Sequence, residues 1–137
     1  MTEKTIQGTT VRVDVAPGEL MDKITILQIK QERISNPTKR LNVGTELTLL
    51  CDAKASHVES SADLERLTSD LREVNGKLWD IEDEIRICER DGDFGPRFIK
   101  LARAVYHTND QRAAIKREIN ERLGSAILEE KDYQEYQ

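Results

Sequence analysis

Apolar residues recur along residues 64–88 with one unbroken period, stepping by three and four positions in alternation. This spacing is typical of a helix that packs along a single heptad seam. The seam positions are Leu64, Leu67, Leu71, Val74, Leu78, Ile81, Ile85 and Cys88. The register continues through Asn75-Gly76, although that dipeptide is more typical of a turn. We therefore predict one continuous helix, in which Gly76 is either a tolerated surface glycine or a point of kinking or close backbone approach.

Three further helices are predicted from weaker stripes and from turn residues. Pro17-Gly18 begins a first helix over about residues 17–34, since proline suits the first helical turn. A partial stripe predicts a second helix over about residues 37–54, followed by a polar loop over residues 55–61. A fourth helix is predicted over about residues 96–123, with Gly124 at its C-cap.

The two ends of the chain have different patterns. Residues 11–15 read VRVDV, the alternation of a strand with one buried face. We expect this segment either to lie as an extended arm over the helices or to pair with its copy in a dimer. The predicted division is an arm with a short strand over residues 1–16, a helical bundle over 17–124, and an acidic tail over 125–137 that holds at most a short helix.

A short connection joins the third and fourth helices, which predicts an antiparallel hairpin over residues 62–123. Residues 62–93 carry five bases against eleven acids, a net charge of −6. Residues 96–123 carry seven bases against three acids, a net charge of +4. We expect the two helices to pair through these opposite charges. The fold class predicted is all-α: a long, coiled-coil-like antiparallel hairpin with an additional N-terminal helix and an extended arm.

Composition bounds the function. The chain has 137 residues, 34% charged and 4% aromatic, with a net charge of −5. The acidic balance disfavours a nucleic-acid partner, and no apolar run is long enough to span a membrane. The N-terminus resembles no signal peptide, so we expect a cytoplasmic protein without membrane or nucleic-acid partners. Cys51 and Cys88 lack metal-ligand spacing, and neither a metal nor a cofactor is predicted.

Polar residues interrupt the apolar seam at the middle of the predicted hairpin. They are the candidate ligand-binding residues: Trp79, Asp83, Tyr106, Asn109 and Arg112. One interpretation is a hydrogen-bonded network that fixes the register of the helices, in which Asp83 reaches Arg103 or Arg112. The other is a pocket for a small anionic or sugar-like ligand, with Arg112 as the anion contact.

Other motifs give no catalytic residue. Asp93-Phe94-Gly95 occurs without the remaining kinase motifs and is interpreted as a turn. His57 and His107 have no carboxylate, cysteine or serine at a suggestive spacing. Two carboxylate pairs, Asp80/Asp83 and Glu118/Glu121, fall ~18 Å apart along the hairpin and do not share a metal within one chain.

Two stretches and the valine-rich arm carry a family resemblance. The stretches are PGELMDKITILQIKQERI and LWDIEDEIRICERDGDFGPRFIKLARAVYHTNDQRAAIKREIN. They resemble a small uncharacterised bacterial family, also carried by phages, over most of residues 11–124 but not over residues 51–61. The resemblance implies an association with sugar-transfer and surface-polysaccharide genes, and no known activity, cofactor or catalytic residue.

Two functions follow as expectations. The first is a helical interaction or scaffold protein that associates with itself or with a helical protein partner, because the first helix carries more apolar surface than one hairpin needs. The second is a ligand-binding or enzymatic accessory protein in sugar or nucleotide-sugar metabolism, which uses the polar residues of the hairpin. A solvent-open pocket in which Arg112 lacks a carboxylate partner would favour the ligand, and a closed network in which Arg112 pairs with Asp83 would favour the scaffold.

Overall fold

The computed structural model describes residues 8–136. It contains four helices: α1 (Pro17–Arg33), α2 (Pro37–His57), α3 (Ala62–Asp91) and α4 (Pro96–Arg122). No residue of the described range belongs to a β-strand, so the all-α class is confirmed. None of these helices is both long and apolar enough to cross a membrane.

The helix boundaries have local causes in the sequence. Three of the four helices begin with proline, whose missing N–H is not needed in the first turn. The Asn36 side chain caps α2 by accepting from the Lys39 amide at 3.0 Å, and Ser61 caps α3 through the Leu64 amide at 3.1 Å. Gly92 ends α3 with φ of +68°, a conformation in which a side chain would be strained.

Helix α2 is longer than its pattern predicts. The predicted loop over residues 55–61 is wrong in its first half, because α2 continues to His57. The Val58 amide caps this last turn through the Lys54 carbonyl at 2.9 Å. Val58 is also packed against the core, so the end of α2 is held by burial that its weak stripe does not reveal.

The hydrophobic core lies at the end of the molecule where α3 begins and α4 ends. Its buried side chains come from α1, α3 and α4: Leu20, Met21, Ile24, Leu64, Leu67, Leu71 and Ile119. Helix α2 packs on α1 and adds Leu47 and Leu50 at the edge of this core. Its only buried residue is Val43, which explains why its apolar stripe is weak.

Helices α3 and α4 run antiparallel, since Asp63 near the start of α3 pairs with Arg122 at the end of α4 at 2.7 Å. Helix α1 covers them only part of the way, because its last residue, Arg33, pairs with Asp80 and lies over Trp79. We call residues 81–105, beyond this level, the distal hairpin. The predicted charge pairing of the two helices is sparse: within residues 8–136, Asp63–Arg122 is the one ion pair that joins them.

The predicted strand at Val11–Val15 is not confirmed, since these residues form no strand within the described chain. Val11 and Val13 are 77% and 73% exposed, so the alternation has no face buried against the helices, and pairing with a second copy stays a prediction. The part of the predicted arm before residue 8 lies outside the described residues. The alternation of valine and polar residues is a local pattern, and a strand also needs a partner that these residues do not meet.

The C-terminal tail forms no helix over its described residues, 125–136. Gly124 adopts φ of +63°, and the Ser125 amide then bonds the Asn120 carbonyl at 2.9 Å. These contacts end α4 and turn the chain back along it, where Glu129 meets Lys116 at 3.1 Å. The tail therefore packs on α4.

Helix α1 lies close to α4 at Gly18, which predicts a large effect of a single methyl group there. The Gly18 amide donates to Asn120 Oδ1 at 2.7 Å, and a Cβ at Gly18 would lie 2.5 Å from the Lys116 carbonyl oxygen. We expect Gly18→Ala to lower the free energy of unfolding by about 1–3 kcal/mol, because α1 must move away from α4. Urea denaturation measures this change.

Gly44 provides the matched control within α2. A Cβ there would meet only Gln31 Nε2, at 3.6 Å, which is an ordinary contact. Gly44→Ala should therefore raise stability by up to ~1 kcal/mol through helix propensity. Equal effects of the two substitutions would contradict the close approach at Gly18.

Candidate functional site

A buried aspartate lies where α1, α3 and α4 meet. The side chain of Asp22, on α1, is 1% exposed. Arg112 of α4 binds it through two parallel contacts: Nε lies 2.9 Å from Oδ1, and Nη2 bonds Oδ2. This paired geometry is the strongest arrangement available to a guanidinium and a carboxylate. The hydrogen bonds that Arg112 donates to Asp22 raise the pKa of Arg112 further, so its guanidinium is charged.

Helix α3 contributes the third member of this network. Asn75 Nδ2 lies 2.8 Å from Asp22 Oδ1 and 3.0 Å from Thr25 Oγ1. The Thr25 hydroxyl in turn donates to the main-chain oxygen of Asp22 at 2.8 Å. No buried side-chain nitrogen or oxygen in the described range lacks a hydrogen-bond partner. The network is thus closed, as buried polar groups require.

The neighbouring Lys116 carries a second, more open set of contacts. Its Nζ lies 2.8 Å from Glu19, 3.1 Å from Glu129 and 3.9 Å from Asp22. Burial disfavours its charge, but hydrogen bonds to Glu19 and Glu129 outweigh that effect and raise the pKa of Lys116. Two cations of α4, Arg112 and Lys116, therefore meet acids from α1 and from the tail.

The structure distributes the five predicted ligand-binding residues over two cavities. Trp79, Asp83, Asn109 and Arg112 line a cavity of about 440 Å³ beside α3 and the end of α1. Tyr106, which is 41% exposed, lines a second cavity of about 720 Å³ between α4 and the tail, and Asn109 and Arg112 also reach it. Helix α4 therefore separates Tyr106 from Trp79 and Asp83.

Asp83 and Arg112 do not pair. Within residues 8–136, Asp83 forms no ion pair, and the carboxylates within 4 Å of the Arg112 guanidinium are those of Asp22. Arg103, the other partner considered for Asp83, forms no ion pair in that range either. The Trp79 ring instead lies under the Arg33 guanidinium, 6.0 Å from its centroid.

The sequence pattern did not indicate the residues that complete this network: Asp22 and Thr25 of α1, and Lys116 and Asn120 of α4. Asp22 does precede Ile29 by seven residues, and this helical spacing places both on the buried face of α1. The partners predicted for Arg112 all lie within the hairpin, whereas Asp22 lies outside it.

The described residues offer no metal site, since none of their His, Cys, Asp and Glu side chains form a group of three or more that could hold an ion. Cys88 is buried in the seam and Cys51 is exposed, and both are free thiols. The buried carboxylate of Asp22 is matched by Arg112 and Lys116.

The fold and the network define a class: a four-helix domain closed by a buried aspartate–arginine pair. The chain belongs to a family of unknown function (DUF6165), whose model matches residues 11–136. This confirms the resemblance to an uncharacterised family and extends it through residues 51–61, which the resemblance left out. No curated protein and no solved structure shows a significant match to the chain.

The buried pair predicts an asymmetric response to substitution. Asp22→Asn leaves the Arg112 guanidinium partly buried without a counter-charge, and we expect a loss of about 3–5 kcal/mol in the free energy of unfolding. Asp22→Leu combined with Arg112→Met removes both charges and should lose clearly less than Asp22→Asn alone. Urea denaturation of the single and double variants provides the comparison.

The exposed pair of Asp80 and Arg33 is the control for the comparison of the Asp22 and Arg112 variants. Their side chains are 62% and 38% exposed, so Asp80→Asn should cost under ~1 kcal/mol. If Asp22→Asn were as mild as Asp80→Asn, the network would not be what holds α1 on the hairpin.

Proposed function

We propose that this chain is a helical interaction protein that self-associates through the distal hairpin. The observation that carries the proposal is a set of charges in this segment that form no ion pair within residues 8–136. Helix α2 lies on the other half of the hairpin, and α1 reaches only the edge of the segment, where Ile26 and Lys30 share a cavity with Asp83.

The apolar seam supports the same surface. Ile81 and Ile85 are only half-buried, whereas Leu67 and Leu71 near the core are 2% and 0% exposed. Phe94 and Ile99 at the tip are 53% and 55% exposed. Two helices cover a seam from one side only, and a second pair of helices completes the packing of a four-helix bundle.

The charges select a second copy as the occupant. Seven residues of the distal hairpin form no ion pair within the described range: Asp83, Glu84, Glu89, Asp93, Arg97, Lys100 and Arg103. Three of the acids lie on α3, Asp93 lies in the connection, and the three bases lie on α4. The proposed two-fold axis places α3 of one copy against α4 of the other, so that acids of each copy face bases of its partner, as an isologous interface requires.

The state of Arg112 also favours an interaction protein over an anion-binding one. Its guanidinium is engaged by both oxygens of Asp22. An anionic ligand would have to displace a buried carboxylate, which would keep only Lys116, 3.9 Å away, as a charged partner, and the weaker compensation of the buried charge would be costly.

Charge reversal on either side of the proposed interface provides the test. We expect Arg97→Glu/Lys100→Glu/Arg103→Glu to raise the dissociation constant of the dimer at least tenfold, by opposing acid to acid. The complementary variant Asp83→Lys/Glu84→Lys/Glu89→Lys should dissociate similarly. An equimolar mixture of the two variants should associate again, and sedimentation equilibrium at several concentrations and salt levels measures all three.

The matched control reverses three exposed bases elsewhere, Lys23, Lys39 and Arg40, which form no ion pair within residues 8–136. This control should associate like the natural chain. A natural chain that stays monomeric at high concentration, or a mixture of reversed variants that stays dissociated, would contradict the proposal.

The cavity of about 440 Å³ favours a second candidate function, the binding of a sugar-like ligand. Trp79, Asp83 and Asn109 line it together with the paired Arg112, and an aromatic face beside polar groups suits a sugar ring. A thermal-shift screen against sugars, sugar phosphates and nucleotide sugars tests this candidate. A ligand of this site should raise Tm in the natural chain and not in Trp79→Ala, whereas a screen without any stabilising compound excludes it.

A further inference from the structure

The C-terminal tail lies in a groove of α4 that begins where the distal hairpin ends, at Val105. A cavity of about 720 Å³ remains between them, lined on α4 by residues from Val105 to Asn120 and on the tail by residues from Leu128 to Tyr133. The groove and the tail have complementary charges. Glu129 of the tail meets Lys116 of α4 at 3.1 Å, and Glu130 meets Arg117 at 3.2 Å. Further along the groove the signs are exchanged, since a base of the tail meets an acid of α4.

The reversed pair and an aromatic cluster fix the direction of the tail. Lys131 of the tail lies 3.5 Å from Asp110 of α4. The Tyr136 hydroxyl donates to the same Asp110, and this bond lowers the pKa of that carboxyl. The Tyr136 ring packs at 5.0 Å from Tyr106. Along its length the groove therefore binds, in order, two acidic residues, a basic residue and a tyrosine of the tail.

The dimensions of the groove suit an extended peptide. The contacts run along α4 from Tyr106 to Arg117, which is ~16 Å at the rise of a helix. Residues 129–136 of the tail cover that length, with a reach of up to ~23 Å when extended. A small anion would satisfy one of the two cations and leave the aromatic end of the groove empty.

The tail is held weakly. The side chains of Glu129 and Glu130 are 45% and 72% exposed, and exposed ion pairs contribute little. No tail residue belongs to the hydrophobic core, which is drawn from residues 20–123. The tail can therefore leave the groove without unfolding the helices.

We infer that this groove of α4 is a binding site for an extended peptide segment of a partner protein, with an acidic pair followed by a tyrosine, and that the tail occupies it as an internal competitor. A tethered segment acts at an effective concentration of ~mM. The tail therefore excludes weak ligands and admits a partner segment that binds more tightly.

The test uses the full chain and a labelled synthetic peptide with the sequence of the tail, SAILEEKDYQEYQ. In the variant Glu129→Lys/Glu130→Lys the tail is repelled by Lys116 and Arg117, so the groove is open. We expect this variant to bind the peptide about tenfold more tightly than the natural chain, with an affinity that falls as salt is added. Fluorescence anisotropy measures both affinities, and circular dichroism checks that the helix content is unchanged.

A second tail variant is the matched control. Asp132→Lys/Glu135→Lys makes the same change of charge at two tail residues that form no ion pair in the described chain, and it should bind the peptide no better than the natural chain. A second peptide carries glutamine in place of the two glutamates that correspond to Glu129 and Glu130. This peptide should lose its affinity for the open variant, Glu129→Lys/Glu130→Lys. Equal affinity of the open variant and this control, or equal affinity for the two peptides, overturns the inference.

Discussion

The buried contact between Asp22 and Arg112 is the constraint on which the arrangement of the helices depends. A carboxylate that is 1% exposed is tolerated only where charged and polar donors surround it. Arg112 of α4 and Asn75 of α3 supply those donors. Their hydrogen bonds to Asp22 therefore fix the position of α1 along the hairpin. Apolar packing alone would allow α1 to slide by a helical turn, since leucine and isoleucine side chains substitute for one another at modest cost.

This constraint divides the molecule into two parts. At one end, α1 is anchored by Gly18 and Asn120, and the apolar core closes beneath it. At the other end α1 stops at Arg33, and the distal hairpin carries charge and half-exposed apolar residues beyond it. The low aromatic content fits this division, because narrow seams of leucine and isoleucine fill the core without large rings.

Features that depend on neighbouring residues could be predicted from the sequence, whereas features that depend on contacts between distant residues could not. The seam of α3 was predicted correctly through Asn75-Gly76, because periodicity over eight positions outweighs a local turn signal. The strand at Val11–Val15 is not confirmed, because a strand needs a partner and no described residue of the chain pairs with it. The candidate ligand-binding residues of the hairpin stay a prediction, and the spacing did not indicate Asp22, since its partners lie 53 and 90 residues away. No spacing rule within one helix reports such a contact.

The hydrogen bond between the Gly18 amide of α1 and Asn120 of α4 has a consequence for how the chain is made. The first helix needs Asn120 to bond the Gly18 amide and Ile119 to cover its apolar face, yet these residues are separated from it by a hundred positions. During synthesis, α1 and α2 emerge long before the surface that buries them. Folding therefore awaits nearly the whole chain, and the apolar face of α1 stays exposed to other proteins until α4 has been completed.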